Sequence, residues 1–193
     1  KGFQDSHLYS ELSKLKPLNL YAWSKHNSDL YFAKYLKNEP SSKNLIGLKF
    51  FNVFGRNEIH KKHMASVISK MLPKIKNGEK ITLFKHYYNS IYCEAERDFI
   101  YVGDICRIIE KLINKNLNSS IYNVGTGVSS KFSQLIEIAF EAVGEKSNIE
   151  FIDLPKKYFG KYQMRTKAPV ERLLQILDDF KFSSYKEAVQ NLI

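Results

Sequence analysis

The chain has 193 residues, 44% of them hydrophobic and 26% charged, and a formal net charge of +10, which allows one large domain or two small ones around a sizeable core in an ordinary soluble protein. No run of about 18 apolar residues exists, which excludes a membrane-spanning helix, and the only two cysteines, Cys93 and Cys106, exclude a disulfide framework and fit a reducing compartment. The basic excess suits anionic partners, but the lysines are scattered without a run of five or six and without a nucleic-acid-binding signature, so neither nucleic acid nor membrane is expected as a partner.

Residues 1–20 read as a loop closed by Pro17, and the sequence opens on Lys1-Gly2-Phe3-Gln4-Asp5, which looks like the middle of a protein. Residues 22–37 have helical spacing, with Leu30, Phe32, Ala33 and Leu36 available for a core face. Asn38-Glu39-Pro40-Ser41-Ser42 is a breaker cluster. The nearly continuous apolar run from Leu45 to Gly55 predicts one buried parallel strand. A helix is predicted from about His63 to Ile75, closed by Asn77-Gly78 as C-cap. Ile81–Phe84 reads as a short strand and residues 85–96 as a polar, aromatic loop. Arg97–Val102 reads as extended, and Asp104 as the cap of a helix reaching about Leu112. Ser120–Val124 predicts a strand, Gly125-Thr126-Gly127 a turn, and residues 131–143 a helix ending at Gly144. Ile149–Ile152 reads as a last strand, and Ser184-Tyr185-Lys186-Glu187 as a capping box opening a terminal helix. Strands alternating with helices predict an α/β fold with parallel pairing.

Tyr21-Ala22-Trp23-Ser24-Lys25 is Tyr-x-x-x-Lys near the start of a helix. The i, i+4 spacing puts both side chains on one face. An ammonium beside a phenol stabilises the phenolate, and such a tyrosine can act as general acid/base toward a sugar hydroxyl. Alone the pair is a common coincidence. Three further motifs follow it in order: Phe50-Phe51-Asn52-Val53-Phe54-Gly55, then Arg97-Asp98-Phe99-Ile100-Tyr101-Val102-Gly103-Asp104, then Tyr122-Asn123-Val124-Gly125-Thr126-Gly127. Together they closely resemble the extended short-chain dehydrogenase/reductases, the NAD-dependent epimerase/dehydratase family. His60–Val67, the Leu83-Phe84 strand and Gly160-Lys161-Tyr162-Gln163 are similar to the branch of that family that epimerises ADP-heptoses, the precursors of lipopolysaccharide inner core.

The resemblance implies a partial Rossmann-like parallel sheet with helices plus a smaller α/β substrate-binding domain. Residues 1–58 would be the C-terminal remnant of the NAD(P)-binding domain. Residues 59–193 would be mainly the substrate-binding domain, with about 98–125 returning to the first. It implies NADP as cofactor, NAD being possible, an ADP-heptose as substrate, a homo-oligomer, and the bacterial cytoplasm as compartment. By the same resemblance Tyr21 and Lys61 are the acid/base pair, and Lys25 holds the nicotinamide ribose and tunes Tyr21. Val53 and Lys61 contact the cofactor. Asn52, Phe84, Arg97 and Tyr162 contact the substrate, Arg97 at its diphosphate. His63 and Lys70 match substrate positions where the family carries Ser and His. Lys85-His86-Tyr87-Tyr88 replaces a shorter acidic turn, so the loop runs longer than the family's.

The family's Gly-rich turn and the serine that accompanies its Tyr have no counterpart in the sequence. Gly125-Thr126-Gly127 lacks the dinucleotide spacing. The chain is therefore expected to be part of a longer protein, inactive by itself, and poorly soluble because a sheet edge would stand unpaired. Two other readings stay open: another nucleotide-sugar epimerase or 4,6-dehydratase of the family, or a basic, non-catalytic remnant. His60 and His63, three apart, have no carboxylate or cysteine to complete a zinc set. Asp98 reads as a structural partner rather than half of a catalytic carboxylate pair.

Overall fold

In the computed structural model, residues 15–17, 19–38, 45–88, 91–159 and 162–193 are described. The predicted opening loop and the breaker cluster lie almost wholly outside them, as do Gly160 and Lys161. Helix α1 spans Leu20–Asn38. It starts where Asn19 accepts the Ala22 N–H on its side chain at 2.8 Å and the Trp23 N–H on its carbonyl, a capping geometry. Ala33 and Leu36 are buried, with Leu30 and Phe32 partly so, as the helical spacing predicts.

The apolar run that follows is two strands. β1, Ile46–Phe50, and β2, Asn52–Phe54, are separated at Phe51. β1 pairs in parallel with β7, Ser120–Val124, in the register Leu48 to Tyr122. At Phe51 the ladder changes partner: Phe51 N–H donates to Val124 O, and Asn52 N–H donates to Asp98 O. β2 then pairs in parallel with β6, Phe99–Tyr101. Parallel pairing is as expected, but full burial is not, because β1 has a strand on one side only among the described residues. Its last residue, Phe50, is 47% exposed.

The predicted helix from His63 begins later. Ile59–Met64 form a 3-10 turn, and α2 runs Val67–Lys76. Ser66 Oγ accepts the Ser69 N–H at 3.3 Å and sets the start. Asn77 is the C-cap as expected, and Gly78 takes φ +70°.

The predicted loop over 85–96 is instead a hairpin. β3, Ile81–Tyr88, pairs antiparallel with β4, Ile91–Glu94. Tyr87 faces Tyr92 across it with ring centroids 3.9 Å apart, and Lys85 Nζ lies 4.7 Å from the Tyr92 ring. Aromatic cross-strand pairs stabilise such ladders. β3 also pairs in parallel with β9, Ile149–Asp153, making a three-stranded sheet in the order β4-β3-β9. A two-residue pair, β5 at Glu96–Arg97 with β8 at Ser130–Lys131, bridges to α4, Phe132–Val143.

Helix α3, Val102–Ile113, has Tyr101 at its N-cap, not Asp104. Asp104 is drawn inward: its carboxylate accepts Ser183 N–H at 2.9 Å and Ser183 Oγ at 2.7 Å, and pairs with Arg107 at 2.5 Å. Helices α5, Glu171–Leu177, and α6, Tyr185–Gln190, complete the described residues. The Ser184–Glu187 capping box of α6 forms as expected.

Two cores result. Alternation along β2 and β6 sends Phe54 and Phe99 to one, with Ile68, Leu135, Phe140 and Val189. It sends Val53 and Ile100 to the other, with Ile108, Val124, Leu173 and Leu177. The mixed α/β architecture with parallel pairing is the one expected.

Candidate active site

The chain from Phe50 to Lys70 turns from strand to helix through two backbone irregularities, and that turn builds a cleft. Its cavity of about 620 Å³ is lined by Tyr21 from α1, by Phe51, Asn52 and Val53 just past the end of β1, by Lys61 and Lys70, by Phe84 from β3 and by Tyr162. The mouth thus lies at the carboxyl end of a parallel strand, where open α/β sheets bind ligands. Seven residues predicted from separate sequence motifs share this one wall.

Tyr21 is 70% exposed. Lys25 Nζ sits 5.5 Å from its ring centroid, one helical turn on. Lys25 stands at the rim and not in the wall. Asn52 Oδ1 accepts from Thr166 Oγ1 at 3.4 Å. Lys70 Nζ donates to the His63 carbonyl at 3.3 Å, so His63 enters through its backbone, and its ring is not part of the wall.

Arg97 lies behind Tyr162. It is 9% exposed, its Nη1 donates to the Glu96 carbonyl at 2.8 Å, and its guanidinium lies 5.3 Å from the Tyr162 ring and 5.7 Å from Phe132. No carboxylate ion pair reaches it among the described residues. Burial pulls its pKa down without threatening its charge. Burial also pushes the Tyr162 phenol up, against the lowering field of Arg97. The segment carrying Tyr162 runs alongside β5: Glu96 N–H donates to Met164 O at 2.8 Å, Thr166 N–H to Glu96 O at 3.1 Å, and Arg165 pairs with Glu96 at 3.2 Å.

Glu58 was not a candidate in the sequence, where it stands in a polar stretch. It is 6% exposed. Its carboxylate accepts from Gly55 N–H at 3.1 Å, Ser66 N–H at 2.9 Å, Ser66 Oγ at 2.7 Å and Ser69 Oγ at 2.9 Å, and its Oε2 lies 3.4 Å from Lys61 Nζ. Burial pushes this carboxyl up, but the serine and backbone donors outweigh it and hold it below the ordinary value. A carboxylate with a depressed folded pKa adds stability at pH above its unfolded value, and loses it as the pH falls through the folded one.

Between Glu58 and Ser66, Lys62 has φ +50° and ψ −120°, and just before Glu58, Asn57 has φ +63°. A lysine in that conformation costs about 1–3 kcal/mol. Lys62→Gly should therefore raise stability by about 1 kcal/mol or more, read as a higher urea midpoint at unchanged slope. An unchanged or lower midpoint would show that the turn is relaxed.

The wall fits the nicotinamide-ribose end of a dinucleotide: the Asn52 amide can donate to a ribose hydroxyl, and Val53 and Phe51 offer apolar surface, with the Lys25 ammonium at the rim beside Tyr21. A diphosphate cradle is another matter. The Thr126 and Gly127 amides are committed to Asp98, at 2.7 and 2.9 Å. A Cβ at Gly125 would lie 2.8 Å from Asp98 Oδ2. The Gly-Thr-Gly turn serves a buried carboxylate, as its poor spacing suggested. No group of three potential metal ligands occurs among the described residues.

Residues 2–125 match the model of the NAD dependent epimerase/dehydratase family. The chain is 34% identical over 199 residues to the ADP-L-glycero-D-manno-heptose-6-epimerase of Fusobacterium nucleatum, with all of this chain and 59% of that protein covered. It is 33% identical over 193 residues to the enzyme of the same name from Nitratidesulfovibrio vulgaris, covering all of this chain and 58% of that one. The chain therefore spans a little under three fifths of the length of these curated relatives. Solved structures of several epimerases share its fold. The Helicobacter pylori ADP-L-glycero-D-manno-heptose-6-epimerase gives a TM-score of 0.69 at 24% identity, over 90% of this chain and 49% of that one. The Thermus thermophilus UDP-glucose 4-epimerase, in complex with NAD, gives 0.70 at 21% identity, over 98% and 59%.

Proposed function

The chain belongs to the NAD dependent epimerase/dehydratase family, and on that premise we propose that the full-length protein carrying it converts ADP-D-glycero-D-manno-heptose to its L-glycero epimer at C6. We take the cofactor to be NADP, with NAD as the alternative. The setting would be precursor synthesis for lipopolysaccharide inner core in the bacterial cytoplasm, with a homo-oligomeric enzyme by analogy to the family. The observation that carries this reading is the single cleft that unites Tyr21 from α1 with Lys61 from the Ile59–Met64 turn.

A secondary carbinol carbon cannot be inverted by proton transfer alone. A bound nicotinamide supplies reversible hydride acceptance, so that C6 passes through a ketone. What remains for the chain is the hydroxyl proton, which leaves and returns on different sides of that carbon. Two acid/base groups on different elements suit that task. Tyr21 would serve one orientation, with the Lys25 ammonium one turn away, 5.5 Å from its ring centroid. Lys61 would serve the other. Residues 1–58, with about 98–125, would belong to the cofactor domain, and the rest of 59–193 would bind mainly substrate.

Charge around the cleft supports a diphosphate ligand. Lys61 and Lys70 line it and Arg97 stands behind Tyr162, whereas the one carboxylate in the wall among the described residues, Glu58, is buried and engaged. Arg97 would grip phosphate oxygens with its planar fork. Charge-assisted bonds are worth about 1.5–3 kcal/mol, so Arg97→Ala should raise KM and the Kd for ADP about 10–100-fold. Arg97→Lys should not restore them, because a point charge lacks the fork. Unchanged ADP affinity in Arg97→Ala would remove Arg97 from the diphosphate site.

The full-length protein supplied with NADP should interconvert the C6 epimers of ADP-heptose and leave UDP-glucose and dTDP-glucose untouched. Turnover of either of the latter, with none of the former, would replace the proposal by a 4-epimerase or 4,6-dehydratase.

A further inference from the structure

Lys61 lies on a six-residue 3-10 turn that buries none of its own side chains. Nothing in that turn's packing holds the ammonium toward the cleft. Among the described residues the only ion pair it makes is with Glu58, three residues earlier. Glu58 is fastened from the other side by Gly55, Ser66 and Ser69. These donors come from the end of β2 and from the first turn of α2, so the carboxylate spans the whole loop from which Lys61 projects. Ser69 Oγ, which gives its one proton to Glu58, also lies 3.3 Å from the Gly55 carbonyl oxygen. The backbone inside this frame is held in an unfavourable conformation at Lys62. Such conformations persist only where surrounding contacts over-determine them.

Resting on the assignment of Lys61 as the second acid/base group, we propose that Glu58 is the positioning residue for Lys61: a buried carboxylate that fixes the 55–66 loop and aims the lysine ammonium into the cleft. Glu58 itself does not touch substrate. An ammonium reaching a substrate hydroxyl must leave one partner for another, and a carboxylate already satisfied by four donors can release it without being stranded. A carboxamide at position 58 has one acceptor oxygen where the carboxylate has two, so it would hold the loop less firmly and would offer the ammonium no charge.

The distinguishing experiment is a double-mutant cycle on the full-length protein with its nicotinamide cofactor, using Glu58→Gln, Lys61→Ala and the double variant, with kcat, KM and thermal midpoint read for each. Misplacement of a reacting group by about 1 Å costs up to about a hundredfold. Glu58→Gln should therefore lower kcat about ten- to a hundredfold with KM changed less than about threefold. In the Lys61→Ala background the same change should lower kcat less than about twofold, because there is no ammonium left to aim. Losses that multiply across the two sites would overturn the proposal and make Glu58 a fold residue only. A Lys61→Ala variant with undiminished kcat would instead overturn the assignment of Lys61, a separate result read in a separate arm. Should Glu58→Gln not fold, Ser69→Ala removes one donor from the carboxylate and leaves the other three. It should lower kcat in the Lys61 protein and not in Lys61→Ala, and equal effects in both would reject the positioning role. Amide exchange at Gly55 and Ser66, whose N–H groups bond to Glu58, reports the loop independently of turnover. It should quicken in Glu58→Gln and stay unchanged in Lys61→Ala.

Discussion

Tyr21→Phe should abolish turnover and leave the fold alone. A positioned general acid/base contributes about 10²–10⁴-fold to rate, and the single phenolic oxygen is all that the substitution removes. Because the Tyr21 ring is 70% exposed, that oxygen takes nothing from either core. The unfolding free energy should stay within about 0.5 kcal/mol of the parent, as for surface changes generally. The α1 start is set by Asn19 and not by the phenol, so Lys25 keeps its place as well. Assaying kcat beside a denaturant melt separates the outcomes. A drop of less than about tenfold with an intact melt would remove Tyr21 from proton transfer, and with it the reading of the cleft as a carbinol-oxidising site.

Asp98→Ala should have the opposite signature, with a large loss of stability. The carboxylate is completely buried. It accepts from Thr126 N–H and Oγ1 at 2.7 and 2.8 Å, and from Gly127 N–H and Ala168 N–H at 2.9 Å each. Its backbone carbonyl accepts from Asn52 N–H, so one residue ties the start of β2, the turn after β7 and the segment before α5. Alanine would leave three backbone N–H groups buried without partners, at about 1–3 kcal/mol each. A net destabilisation of about 3–5 kcal/mol is expected, the usual result of removing one member of a buried charged network. A midpoint shift worth less than about 1 kcal/mol would mean that water replaces the carboxylate freely, and that the turn is not held as its distances imply.

Periodicity and local chemistry made the helices and strands of strongest pattern readable: α1 from its spaced apolar residues, β7 from Ser120–Val124, and the α6 capping box at Ser184. What escaped was decided by contacts distant in sequence. Asp104 has the chemistry of a helix cap, but Ser183, 79 positions away, claims it first. The hairpin at 81–94 lacks a clean apolar face, because Tyr87 and Tyr92 are about half exposed, so alternation gave no strong signal there. Helix α5 buries only Leu173 and Leu177, an i, i+4 pair too short to stand out. Tyr21, Asn52, Val53, Lys61 and Tyr162 were legible because they sit in motifs. Glu58 was not, because its burial depends on Gly55, Ser66 and Ser69 converging on it. The i, i+3 spacing of Glu58 and Lys61 was the one local sign of that arrangement.

The measurement that bears most directly on the central claim is the fate of the hydrogen on C6. The full-length protein with NADP, given ADP-D-glycero-D-manno-heptose in D2O, should yield the L-glycero epimer with the substrate's own protium still on C6, read by NMR. The Tyr21→Phe variant should yield no epimer under the same conditions. Deuterium at C6 of the product would mean that a base removes the carbon-bound proton and solvent replaces it, and would contradict the assignment of Tyr21 and Lys61 to the hydroxyl proton.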